Sequence, residues 1–160
     1  MSFTGAINAV ISNFANFQGR AVRSEYWYWL LFCVLIGFGI GIISAILSAI
    51  LGTRVIGYVI EGLFELAILV PSIAVAIRRL HDLDKSGWWL LISIGPSIAG
   101  FLFAFVLPFL GHLFSFAALV CDIVLLVWFC MPGTRGPNRF GGGGDSFARP
   151  GPMPMPVGFN

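Results

Sequence analysis

Ten charged side chains are gathered into three short polar stretches of an otherwise apolar chain. Arg20, Arg23 and Glu25 fall within Phe17 to Trp27; Arg78, Arg79, Asp82, Asp84 and Lys85 within Arg78 to Trp89; Arg135 and Arg139 within Pro132 to Gly141. Seven bases against three acids leave a local balance of 7 − 3 = +4. A guanidinium presents a planar fork of N–H donors that matches the oxygens of a carboxylate or a phosphate. Two uses follow. Glu25, Asp82 and Asp84 can clamp arginines of neighbouring segments and fix helix ends, the favoured use, with surplus cations facing anionic lipid headgroups. The sharper use is a phosphate-type site built on Arg78, Arg79 and Arg139. The candidate residues for binding an anion, a lipid or a partner are therefore Arg20, Arg23, Arg78, Arg79, Lys85, Arg135 and Arg139.

Catalysis finds little support in these stretches. The pair His81-Asp82 invites comparison with metal-dependent phosphohydrolases, which need several further His and Asp ligands, and the second histidine, His112, falls at the opposite end of the apolar segments. No metal site and no cofactor are expected. No Gly-rich phosphate loop, Ser-His-Asp set or Cys-His pair can be assembled on one side. Cys33, Cys121 and Cys130 lie in apolar runs without Cys-x-x-Cys spacing and read as small buried hydrophobes.

A second constellation lies within the apolar runs. Glu61, Glu65 and Asp122 are costly at bilayer depth and should face the protein interior. Glu61 and Glu65, four apart, share a helical face. At about 1.5 Å per residue, Glu65 and Asp122 lie roughly 15 and 13 Å from the outer ends of their segments, near the midplane. A neutral interhelical hydrogen bond is the favoured use; a proton or cation relay is the functional alternative, with Glu65 and Asp122 meeting if the second and fourth helices pack together. Arg54 could snorkel to the outer interface and pair with Glu61.

The elements that must position these groups follow from composition. Of 160 residues, 58% are hydrophobic and 10% charged, too apolar for one aqueous core to enclose. Four apolar stretches, about residues 26–51, 55–77, 88–107 and 113–131, each approach the roughly 20 residues that a 30 Å hydrocarbon layer demands. The turn between the last two is expected at Pro108 to His112, and Pro96 is expected to kink the third helix. The first apolar run is too long for a cleavable signal core. Residues 1–24 carry Phe3, Ile7, Val10, Ile11, Phe14 and Phe17 at helical spacing and predict an interfacial amphipathic helix, lying on lipid or docked on the protein. The first long helix carries Gly37, Gly41, Ala45 and Ala49 at four-residue intervals, a close-packing face used within the chain or, less favoured, in a homo-oligomer.

Eight of the nine basic residues fall on one side of a four-span arrangement and only Arg54 on the other, which places both termini and the middle loop in the cytoplasm. Tyr26 to Trp29 and Trp88-Trp89 open two helices as interfacial anchors. Residues 132–160 read as a cytoplasmic Gly/Pro-rich tail, disordered after Phe140. The predicted fold is an all-α membrane protein, a four-transmembrane-helix bundle with an N-terminal interfacial helix.

In order and spacing, the three polar stretches resemble the signature of the domain of unknown function 805 family, small bacterial inner-membrane proteins. The resemblance runs from about Phe14 to Gly141 and includes Pro71-Ser72. It departs from the family's pattern in a longer apolar stretch between Trp89 and Pro132, which supports a full helical hairpin here. It implies a bacterial inner-membrane location and no particular chemistry. The leading expectation is a non-enzymatic membrane scaffold with a charged cytoplasmic platform for anionic lipid or a partner protein, and no nucleic-acid partner. A small transporter or channel subunit using the intramembrane acids comes second, and an enzyme acting on a phosphorylated lipid third.

Overall fold

In lipid every backbone N–H and C=O must find an internal partner, so long apolar segments fold as helices. The computed structural model describes residues 1–142 and contains five α-helices: α1 Phe3–Ser12, α2 Arg23–Leu51, α3 Val55–Asp82, α4 Leu91–Val106 and α5 Pro108–Cys130. A single 3-10 turn, Gly87–Leu90, leads into α4. Four spans, Arg23–Leu51, Val55–Asp82, Gly87–Val106 and Pro108–Cys130, are long and apolar enough to cross a membrane. Their outward faces carry large apolar side chains such as Phe38, Phe105 and Phe109, each more than two-thirds exposed, as lipid-facing residues must be.

The ends of the elements differ from their sequence-based limits for identifiable reasons. The second span, expected over 55–77, continues as helix to Asp82. Polar residues end the embedded part of a helix, not the helix itself, and 28 residues extend about 42 Å against about 30 Å of hydrocarbon. Its C-terminus is a Schellman motif: the Lys85 N–H donates to Leu80 O at 2.9 Å and the Asp84 N–H to His81 O at 3.0 Å. Asp84 occupies the left-handed position, φ 57°, where glycine is usual. The first span starts at Arg23, before residue 26, and the third runs from Gly87 to Val106.

The expected turn at Pro108 to His112 is corrected: the break is Leu107 alone, φ −139° and ψ 85°, and Pro108 is the first residue of α5. A proline disfavours helical backbone just before it, and at the first helical position its missing N–H leaves no partner wanting. Gly111 therefore lies inside α5, where it serves contact. A Cβ there would sit 2.7 Å from Ala104 Cα, so only glycine lets α4 and α5 approach this closely.

The spans pair as two hairpins, α2 with α3 and α4 with α5. Buried contact between hairpins is made by Ala76 and Leu80 of α3 with Leu125 and Phe129 of α5, all near the polar end. The small-residue stripe of α2 turns toward α3: a Cβ at Gly37 would meet Phe64, and Ser44 and Ser48 crowd Gly57. Helix α1, capped by Ser2 Oγ accepting from the Gly5 N–H at 3.2 Å, docks through Ala6 and Val10 onto Trp29 and Val75. It is helical only to Ser12, and Phe3, Ile11, Phe14 and Phe17 stay exposed. Trp29, expected as an interfacial anchor, is instead buried, its Nε1–H donating to Ser72 Oγ at 3.0 Å. Cys130, expected to be buried, is exposed. The expectation of a disordered tail falls mostly on residues 143–160, outside the described residues; residues 132–142 are held against the helix ends.

Candidate functional site

Asp82, 5% exposed, closes the last turn of α3, and two separate segments converge on it beside the preceding turn of its own helix. From the segment before α2, the Arg20 guanidinium reaches Asp82 Oδ1, with Nε at 2.9 Å and Nη2 at 2.8 Å. One helical turn back, Arg79, fully buried, pairs through Nη1 with Asp82 Oδ2. From the segment after α5, Thr134 donates to the Asp82 carbonyl through its N–H at 2.8 Å and its hydroxyl at 3.0 Å. The arginines also reach the third segment: Arg20 donates to Gly136 O at 2.7 Å and Thr134 O at 2.6 Å, and Arg79 to Phe129 O at 3.3 Å and to Met131 O.

This knot explains residue choices that look idle in the sequence. Gly133 lies against the Asp82 carboxylate, and a Cβ there would overlap its oxygens. Asn138 Nδ2 donates to His81 O at 2.8 Å, tying the segment to the end of α3. The His81 ring stacks on Phe140 with centroids 3.8 Å apart, and its Nδ1 lies 3.1 Å from Gly19 O. His81 is thus a packing and bridging residue. Sequence reasoning missed Gly133, Thr134, Asn138 and Phe140; the Pro132-Gly133-Thr134 triplet was the available signal, but the carbonyls it meets leave no trace in side-chain chemistry.

The other basic candidates have separate fates. Arg78 pairs with Glu25 of α2, Nη1 to Oε1 at 2.6 Å, both buried. Arg139 pairs with Asp84 at the exposed surface, Nε to Oδ1 at 3.0 Å, and donates to the Asp84 carbonyl at 2.5 Å. The hydrogen bond from Arg139 Nε to the carboxylate holds the Asp84 carboxyl below its ordinary pKa. Lys85 sets its ammonium over the Trp128 ring, 4.0 Å from the centroid, and near Trp89 at 5.8 Å. Arg23 and Arg135 are exposed and, among the described residues, enter no ion pair.

Two of the three intramembrane acids share a cavity. Glu61 lines a cavity of about 530 Å³ between α2 and α3 with Ser44, Ser48, Tyr58 and Arg54, and Glu61 and Glu65 together line an adjoining one with Gly37 and Gly41. No ion pair joins Glu61 to Arg54 among the described residues. Asp122 is on the other hairpin, where it accepts from the Ser93 hydroxyl of α4. Among the described residues no three His, Cys, Asp or Glu side chains converge as metal ligands would.

Comparison with known proteins adds relatives to this geometry. A family model described as "Protein of unknown function (DUF805)" matches residues 14–142. The chain is 38% identical over 133 residues to the inner membrane protein YhaI of Escherichia coli K12, covering 83% of this chain and 89% of that one. It is 33% identical over 134 residues to the inner membrane protein YhaH of the same organism, covering 82% and 89%. No solved structure matches. The family match begins before Arg20 and ends just after Phe140, and so spans the three segments that meet at Asp82.

Proposed function

The chain belongs to the DUF805 family, and from that premise we propose that it is a non-enzymatic inner-membrane scaffold whose welded polar end is a cytoplasmic platform for anionic lipid. The observation that supports this reading is the division of labour among the arginines. Arg20 and Arg79 are spent on buried Asp82 and on carbonyls and Arg78 is paired with buried Glu25, which ties the end together, while Arg23, donating to the Cys130 carbonyl at 3.4 Å, and Arg135 are exposed at its rim without an ion pair among the described residues. Exposed guanidinium groups beside a bilayer are attracted to an anionic leaflet by about 1 kcal/mol each. The same excess of bases supports a cytoplasmic setting for this end. The ionisable groups of the knot satisfy one another, which argues for architecture over acid–base chemistry.

The test is retention of phosphatidylglycerol by the full chain in detergent as salt is raised. Arg23→Ala combined with Arg135→Ala should weaken retention about tenfold at low salt and flatten the salt dependence. Unchanged retention and unchanged salt dependence in the double variant would sink the platform reading. A relay reading would have to run along α3 through Glu61 and Glu65 alone, since Asp122 bonds within the other hairpin.

A further inference from the structure

The end of the α2–α3 hairpin remote from Asp82 carries charge that the knot does not use. Arg54 is the N-cap of α3, and Glu61 follows two helical turns later. Both line the cavity of about 530 Å³ between the two helices, a size within the range of small-ligand sites. A second cavity, of about 350 Å³, continues from it toward Glu65, and the two share Gly41 and Glu61. Together they form a cleft that starts at the helix turn and follows the seam of the hairpin.

The seam fixes which face of α3 lines this cleft. Gly57 packs on the Ser44 and Ser48 hydroxyls of α2, where a Cβ would overlap Ser44 Oγ. Glu61 is one turn beyond Gly57 and therefore shares its α2-facing side. Beside it on α2, a Cβ on Gly41 would meet nothing within 4 Å, so the helices part there and leave room for a guest.

The polar groups of the cleft are uncommitted. Arg54 and Tyr58 are exposed and Glu61 is half-buried, and among the described residues none of these side chains makes a hydrogen bond or an ion pair. At the knot end, by contrast, Glu25, Asp82 and Asp84 each hold an arginine. A carboxylate set about 10 Å along a membrane span is costly without a counter-charge. A lone anion would suit Arg54 and be repelled by Glu61, and a lone cation the reverse. The partner that satisfies both carries both signs.

We propose that this cleft binds a short zwitterion, an ammonium joined to a phosphate or carboxylate, with the ammonium at Glu61 and the acid group at Arg54, the zwitterion being a free solute or a lipid headgroup. Helical side chains lean toward the N-terminus, so the Glu61 side chain leans toward Arg54 and shortens the axial separation of about 10 Å. The guanidinium fork of Arg54 takes two acid oxygens at once, and Ser48 and Tyr58 supply hydroxyl donors. None of these residues enters the platform reading, so either can fail alone.

The test uses the full chain in detergent. Phosphoethanolamine and β-alanine, followed by calorimetry, are the free probes, and phosphatidylethanolamine, followed by native mass spectrometry, is the lipid probe. Ethanolamine, inorganic phosphate, propionate and phosphatidylglycerol are controls that each lack one of the two charges. Wild type should bind at least one zwitterion about tenfold or more tightly than its controls. Arg54→Gln and Glu61→Gln remove side chains that hold nothing else in the fold, and each should weaken that binding at least about tenfold. Gly41→Leu, which fills the cleft without touching either charge, should do the same. Binding of a free probe assigns the site to a solute; binding of phosphatidylethanolamine alone assigns it to a lipid. Wild type without preference for any zwitterion over its controls, or affinity retained in any of the three folded variants, would overturn the site.

Discussion

Replacing Asp82 by alanine removes the one carboxylate shared by two buried arginines, and the size of the effect can be worked from their surroundings. Arg79 is fully buried and Arg20 is 7% exposed, so solvent screens neither. Deleting one partner of a buried pair costs about 3–5 kcal/mol, because the remaining charge stays desolvated. Here two cations lose their counter-ion, which pushes toward the upper end. Each keeps carbonyl acceptors, Thr134 and Gly136 for Arg20 and Phe129 and Met131 for Arg79, which pulls back. The expected loss for Asp82→Ala is therefore about 3–5 kcal/mol, a large share of the 5–15 kcal/mol that holds a typical domain.

Asp82→Asn keeps the shape and one acceptor oxygen but removes the charge, so it should lose less than the alanine variant. Replacing Arg20, Arg79 and Asp82 together by Met, Met and Leu should recover most of the stability, because the desolvation penalty disappears along with the pairs. The assay is denaturant titration of the purified protein in detergent, with a double-mutant cycle between Arg20→Ala and Asp82→Ala. Coupling below about 0.5 kcal/mol, or an Asp82→Ala loss below about 1 kcal/mol, would refute the claim that this carboxylate welds the three segments.

Four further outcomes follow from the same structure. Gly133→Ala should destabilise by about 1–3 kcal/mol in the same titration, since its Cβ has no space beside the Asp82 carboxylate, whereas Gly41→Ala, facing open space, should be near neutral. At Asp84, glycine relieves the left-handed backbone while losing Arg139, so Asp84→Gly should be near neutral in stability and Asp84→Val should be clearly worse. Because the Asp84 carboxyl is held below its ordinary value of 3.8, its contribution is present above that pH and fades only as pH falls further; the stability difference between wild type and Asp84→Asn should be flat from pH 7 to 5 and shrink below about 3.8. Finally, Phe109→Cys should react with an impermeant thiol reagent added outside intact cells, and Ser86→Cys only after the membrane is opened; the reverse pattern would overturn the orientation proposed above.

How much of this was legible beforehand depended on how local the deciding physics is. The spans were legible because bilayer thickness sets a length and lipid sets a composition, and both are properties of a window of residues. The ion pairs were legible in kind but not in pairing. Arg20 and Asp82 are 62 positions apart, and nothing local distinguishes Asp82 from Asp84 as Arg20's partner. The Leu107 break was misplaced because proline and glycine were both read as breakers, whereas Pro108 opens a helix and Gly111 allows two helices to touch. Glu65 and Asp122 could be placed at one depth but not assigned as neighbours, because depth carries no information about which hairpin a residue faces.

By itself, then, the sequence determined that this chain lives in a membrane, how many times it crosses, that its bases favour one side and that three polar stretches share that side. Those are consequences of solvent, and solvent acts on each segment separately. Only the tertiary structure decided that Asp82 is shared by two arginines, that Thr134 and Asn138 fasten the segment after α5 to the end of α3, and that Arg78 pairs with Glu25 of α2. These depend on which helix ends meet, and buried charges find partners through the packing of all the spans together.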